Sequence, residues 1–204
     1  MNARAYTLLG SILASAILAP LIPAQAADPV SIFGFALGQP VQLPECPHHT
    51  FSGTKMYSPI VLQTCIEDAA NLPGYSQPLR TVMFSRDEAP AIVKQARIYL
   101  LEDGKVLTGA HFYTSGVSDQ DAVLAALKQK FGAPASQSKA HVTIGDGSSV
   151  SATVADWAND QVVVHLQGQV DGGDTGGEVD IDTPKAAQQR KAVRMNVPGA
   201  RRQL

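Results

Sequence analysis

Cys46 and Cys65, together with the adjacent His48 and His49, are the residues of this chain best suited to hold a metal ion. Imidazole and thiolate are good ligands for zinc or copper, so Cys46, His48, His49 and Cys65 make a candidate set. Two arguments count against it. Adjacent histidines on an extended segment point to opposite sides, and structural zinc sites ordinarily carry a closely spaced cysteine pair. In an oxidising compartment an even pair of cysteines reads instead as a disulfide. It would close a loop of about 20 residues and stabilise by about 3 kcal/mol. The disulfide is the expectation, and a metal site on the His48/His49 loop is the alternative. No cofactor is expected.

Other patterns carry less chemistry. Asp171, Asp174, Glu178, Asp180 and Asp182 offer hard oxygen ligands among glycines, which calcium accepts, but the spacing is not that of an EF-hand. Ser-x-x-Lys occurs at Ser52/Lys55 and Ser136/Lys139 without the companion elements that make it catalytic. His111 and His165 fall on predicted strands, beside Tyr113 and Val163 respectively, and nothing near them in sequence supplies an acid or a nucleophile. Both read as surface or half-buried histidines. There is no nucleophile elbow, no His-Glu-x-x-His and no phosphate-cradling glycine loop. No catalytic residue is nominated, and the chain reads as a non-enzyme.

The compartment follows from the first residues. Arg4 precedes an apolar run at residues 8–22, and Ala24-Gln25-Ala26 supplies a small-x-small cleavage site. That run, at about 15 residues with Pro20 and Pro23 near its end, is short of the roughly 20 a membrane span needs. Residues 1–26 are therefore expected to be a cleavable signal peptide, leaving about 178 residues in the periplasm, enough for one domain. No lipid-bearing cysteine follows the run, so no stable membrane anchor is expected.

Residues 27–184 carry 9 Lys and Arg against 18 Asp and Glu, whereas residues 185–204 carry 6 basic residues and no acid. An acidic body argues against nucleic-acid binding. The basic stretch 185–204 reads as a disordered tail, partly helical and loosely held for want of an apolar face.

Strand signals fall at residues 30–37, 60–66, 79–84, 95–100, 106–113, 150–157, 161–167 and 178–182, with an irregular loop at 41–59. Asp103-Gly104 predicts a hairpin between two of them. One helix is well specified at 118–131. Ser118 can cap it, Val123, Leu124, Leu127 and Phe131 form an apolar stripe, and Gly132 and Pro134 end it. Trp157 reads as a core residue. The expected fold is α+β, a mostly antiparallel sheet packed by this one main helix.

Two stretches carry a resemblance. Residues 103–134, from Asp103-Gly104-Lys105-Val106 through Phe112-Tyr113-Thr114-Ser115-Gly116 to Lys130-Phe131-Gly132-Ala133-Pro134, resemble a module of uncharacterised exported proteins of Gram-negative bacteria. So does the opening Phe33-Gly34-Phe35-Ala36-Leu37-Gly38 with Cys46 soon after. The helix ending in Gly-x-Pro and the later Trp157 before a Val-rich strand are similar to half of the small outer-membrane assembly lipoproteins and the related β-lactamase-inhibitor fold, from which this sequence departs in its longer helix and its lack of a lipid-bearing cysteine. This resemblance implies a protein-binding sheet surface and no enzyme activity. The expected function is thus a non-enzymatic periplasmic binding or accessory protein acting on another envelope component. A metal-binding protein, or a cell-wall-directed hydrolase or inhibitor, is the alternative.

Overall fold

The computed structural model describes residues 29–70, 75, 79–171 and 176–196. The leader at 1–26 lies outside the described residues, as do Asp174 and residues 197–204. The described chain is mostly antiparallel sheet with two helices, an α+β arrangement.

Eight strands form the main sheet. Two small hairpins precede them in the chain. Ser31–Ile32 (β1) and Phe35–Ala36 (β2) make a tight hairpin, and His48–Phe51 (β3) and Thr54–Tyr57 (β4) make a second. The main sheet uses Cys65–Ala70 (β5), Leu79–Met83 (β6), Arg97–Asp103 (β7), Val106–Tyr113 (β8), Ser136–Thr143 (β9), Ser149–Ala158 (β10), Val163–Gln167 (β11) and Glu178–Asp182 (β12). Their spatial order is β5-β6-β7-β8-β12-β11-β10-β9, with every neighbouring pair antiparallel. The non-consecutive neighbour of β8 is β12, so the chain leaves the sheet after β8, builds β9 to β11 from the far edge inward, and returns to fill the centre.

What leaves the sheet is the helix Gln120–Phe131 (α1). Its buried Val123, Leu124 and Leu127 pack on Ala110 and Phe112 of β8, Ala155 and Trp157 of β10, and Val179 and Ile181 of β12. The N-cap position falls on Asp119 rather than Ser118, which ends a short 3-10 turn and bonds Ser115 O through its hydroxyl. Asp121 in the first turn and Lys128 and Lys130 in the last oppose the helix dipole with the right signs. Trp157 donates its indole N–H to Gly132 O, 2.9 Å away, so the helix end is tied to the core.

Several elements depart from the sequence reading. Residues 30–37 fold back on themselves because Phe33 and Gly34 both take positive φ, +49° and +89°, the geometry of a type I′ turn. The loop at 41–59 contains the β3–β4 hairpin, closed by Ser52 and Gly53 at φ +49° and +80°. The strand expected at 60–66 begins only at Cys65. β9 has no counterpart in the sequence reading, because its sequence SQSKAHVT has too few apolar residues to show a strand period.

The largest departure is the basic segment. Pro184–Asn196 is a second helix (α2), packed on the face of the sheet opposite α1. Its Ala186 and Arg190 are buried, so the first part of the expected tail is ordered structure held by a buried cation.

Candidate functional site

The disulfide loop is the most distinctive surface. Cys46 and Cys65 are joined, with Cα atoms 4.9 Å apart, and both are buried with Val61 and Met83 under the partly buried Tyr57. Around them, Cys46 N donates to Ile66 O and Ile66 N to Pro44 O, so the start of the loop is pinned to β5. Lys55 pairs with Glu45 and with Asp68, 2.8 Å away, which holds the hairpin over that strand. The ammonium pushes both carboxyls below their ordinary range.

Alternation along the hairpin then decides what faces water. His48 and Tyr57 are opposite each other on the packed side, with rings 5.4 Å apart. His49, Phe51 and Met56 share the other side. Phe51 is 72% exposed, Met56 48%, Ile60 77% and Leu62 97%. Of the large apolar side chains exposed among the described residues, only Val117 lies outside the loop 46–65. Four exposed large apolar side chains thus fall within one covalently closed loop.

A second assembly lies beneath α2. Strand register draws one polar row across the whole sheet: Glu67, Thr81, Tyr99, His111, Asp180, His165, Asp156 and Ser136 are successive cross-strand partners. At its centre Asp180 Oδ1 takes His111 Nδ1 at 2.7 Å and the Tyr75 hydroxyl at 3.0 Å, and pairs with Arg190 Nη1. Arg190 Nη2 also donates to Asp182 Oδ1 at 2.7 Å, and its guanidinium lies 4.8 Å from the Tyr75 ring centre. Burial works to lower the Arg190 pKa, and the charges of Asp180 and Asp182 outweigh it and raise it. Gly109 makes the space: a Cβ there would stand 2.0 Å from Asp182 Oδ1.

Farther along the row, His165 Nδ1 meets Asp156 Oδ1 at 2.7 Å, and Ser136 donates to Asp156 Oδ2 at 2.7 Å. Burial works to raise the Asp156 pKa, but these two bonds lower it overall. Serine, histidine and aspartate thus meet, but with the carboxylate in the middle. Nucleophilic catalysis needs the imidazole next to the hydroxyl so that it can take the proton. Here the serine proton is directed to the carboxylate, and the trio orders the sheet instead of activating Ser136.

The residues singled out in sequence are therefore dispersed. His111, expected at or near the surface, is buried and paired with Asp180, an acid 69 residues away that no local pattern reveals. His165 is half-buried beside Asp156. Of the acidic run, Asp180 and Asp182 serve Arg190, while Asp171 accepts from Thr143 N. The disulfide occupies both sulfurs of the candidate metal set, and His48 and His49 leave opposite faces of β3. Among the described residues no three His, Cys, Asp or Glu side chains converge as metal ligands. Ser52 sits in a turn and Ser136 opens β9, so neither Ser-x-x-Lys lies on a helix. No described helix is long and apolar enough to cross a membrane. The chain matches no family model, no curated protein and no solved structure at a significant level.

Proposed function

We propose that this protein is a non-enzymatic periplasmic binding module that docks onto another envelope protein through its disulfide-closed loop, residues 46–65. The observation that carries this reading is the concentration of Phe51, Met56, Ile60 and Leu62, all exposed, within that one loop. The bridge holds these side chains in place before binding, so less ordering entropy is lost when a partner covers them. The resemblance to exported proteins and to a protein-binding fold points the same way, and the bridge suits an oxidising compartment.

The test is a photo-crosslinking amino acid placed at Leu62 in living cells, with Lys128 on the exposed side of α1 as control. A single protein adduct at Leu62, reduced by Phe51→Ser and absent at Lys128, is expected. Equal labelling at both positions, or none at Leu62, overturns the docking role. The compartment is tested separately. The N-terminus of the natural product should begin at Ala27, and an intact Met1 on cytosolic protein would remove the periplasmic assignment.

A further inference from the structure

We infer that the edge strand β9 is a self-association surface, on which a second copy of this chain adds antiparallel to continue the sheet. The two edges of the main sheet are finished differently. β5 carries a register irregularity between Glu67 and Ala70, and its outer side is covered by Glu45, which bridges to Ile66. β9 pairs with β10 through eight consecutive residues, Ser136 to Thr143, without a bulge. Natural sheets protect such edges with proline, bulges, coverage or outward charge. β9 has no proline, and its lysine, Lys139, is turned back over its own sheet to donate to Thr153 Oγ1 at 2.7 Å.

The outward groups can be identified. Ile144 N donates to Ser148 O across the β9–β10 turn, which fixes the even-numbered residues of β9 as those bonded to β10. The backbone groups of Gln137, Lys139, His141 and Thr143 therefore face outward. The Thr143 amide is taken by Asp171 Oδ1; the other three amides have no partner among the described residues.

The side chains argue for a second copy as the occupant. Strand addition by a foreign segment draws its specificity from pockets for alternate side chains. β9 presents mostly exposed serine, glutamine, lysine, histidine and threonine, leaving backbone complementarity as the main attraction. A two-fold axis must also match outward groups to outward groups, so it passes through a residue rather than between two. An axis at Lys139 would pair two residues of like charge. An axis at Ala140 sets Lys139 against His141, Gln137 against Thr143 and Ala140 against itself, and forms about six backbone hydrogen bonds. Such a pairing is isologous and closes at two copies.

The mature full-length protein should show a dimer mass by light scattering, with a concentration-dependent shift toward monomer on dilution. Ala140→Cys should give a disulfide-linked dimer on non-reducing gels, because opposed residues without mutual hydrogen bonds come close enough to bridge. Ser138→Cys, displaced from its own mate, should not. His141→Lys should weaken the dimer roughly tenfold and His141→Glu tighten it by a similar factor, since each changes two cross-strand pairs. His141→Pro, which removes only an outward amide, should leave a folded monomer. A monomer mass at every concentration, or a dimer indifferent to both His141 charge variants, overturns the proposal.

Discussion

On one face of the sheet, Val123, Leu124 and Leu127 of α1 sink among Phe112, Ala155, Trp157 and Ile181, with Gln120 alone among the buried helix residues bonding the β10 backbone, at Ser151 and Thr153. On the other, α2 brings Ala186 to Leu79 and Leu101, and Arg190 to two carboxylates and the Tyr75 ring. Both helices lie on the same eight strands, and strand alternation sends residues 110 and 112 to one helix and 109 and 111 to the other. Specificity of docking comes from the ionic face. An apolar face accepts a helix in any orientation that fills volume, whereas a guanidinium facing Asp180 and Asp182 accepts one position along the helix.

The α2 face is most vulnerable at Arg190. Arg190→Ala leaves Asp180 and Asp182 buried without their cation, and removing one partner of a buried pair costs about 3–5 kcal/mol. Urea unfolding should show a loss of that size, with early proteolysis in α2. If the network specifies position more than it stabilises, the combined change Asp180→Asn, Asp182→Asn and Arg190→Met should recover most of the loss. The Asp180→Asn side chain keeps an oxygen that accepts from His111 and Tyr75, and buried ion pairs replaced as a unit are often neutral.

A somewhat smaller effect is expected on the opposite face. Leu127 is 3% exposed, and Leu127→Ala removes packed methyl groups and leaves a cavity, costing about 2–4 kcal/mol. This loss should be insensitive to pH between neutral and alkaline conditions, whereas anything resting on the α2 face should not be. Equal pH dependence of the two losses would erase the distinction between an uncharged face and an ionic one.

The same contrast explains what could be read from sequence. α1 was legible because its partners need only be apolar, and a stripe at Val123, Leu124, Leu127 and Phe131 advertises that within one turn-repeat. The disulfide was legible because two cysteines allow one pairing. α2 was legible only as a partly helical stretch and not as a packed one, since KAAQQRKAVR shows no stripe and its holding partners lie in β12, where Asp180 and Asp182 look like a calcium-type run. A buried cation is recognisable only beside its acids, and strand register brings them together, not local sequence. β9 failed for a related reason: an edge strand needs no apolar face, so its polar residues carry no period. Exposure of the 46–65 loop was equally hidden, because Ile60 and Leu62 are the residue types that elsewhere in this chain build the core.

The subtlest difference between the faces should appear at high pH. Burial, and then the neighbouring Asp180 charge, push the Tyr75 phenol well above its ordinary value of 10.0. A group whose folded pKa is raised holds its proton in the native state after the unfolded chain has released it. Its contribution to stability is complete below about pH 10 and declines above it, by up to about 1.4 kcal/mol per pH unit. Tyr75→Phe removes the titrating group and keeps the ring over Arg190, at the cost of one hydrogen bond worth about 1 kcal/mol at neutral pH. Stability measured from pH 8 to pH 11 should therefore fall more steeply in the wild type than in Tyr75→Phe, and the two curves should converge as pH rises. Parallel curves would mean that Tyr75 ionises as freely in the folded protein as in the unfolded chain, and that α2 does not seal the polar row from solvent.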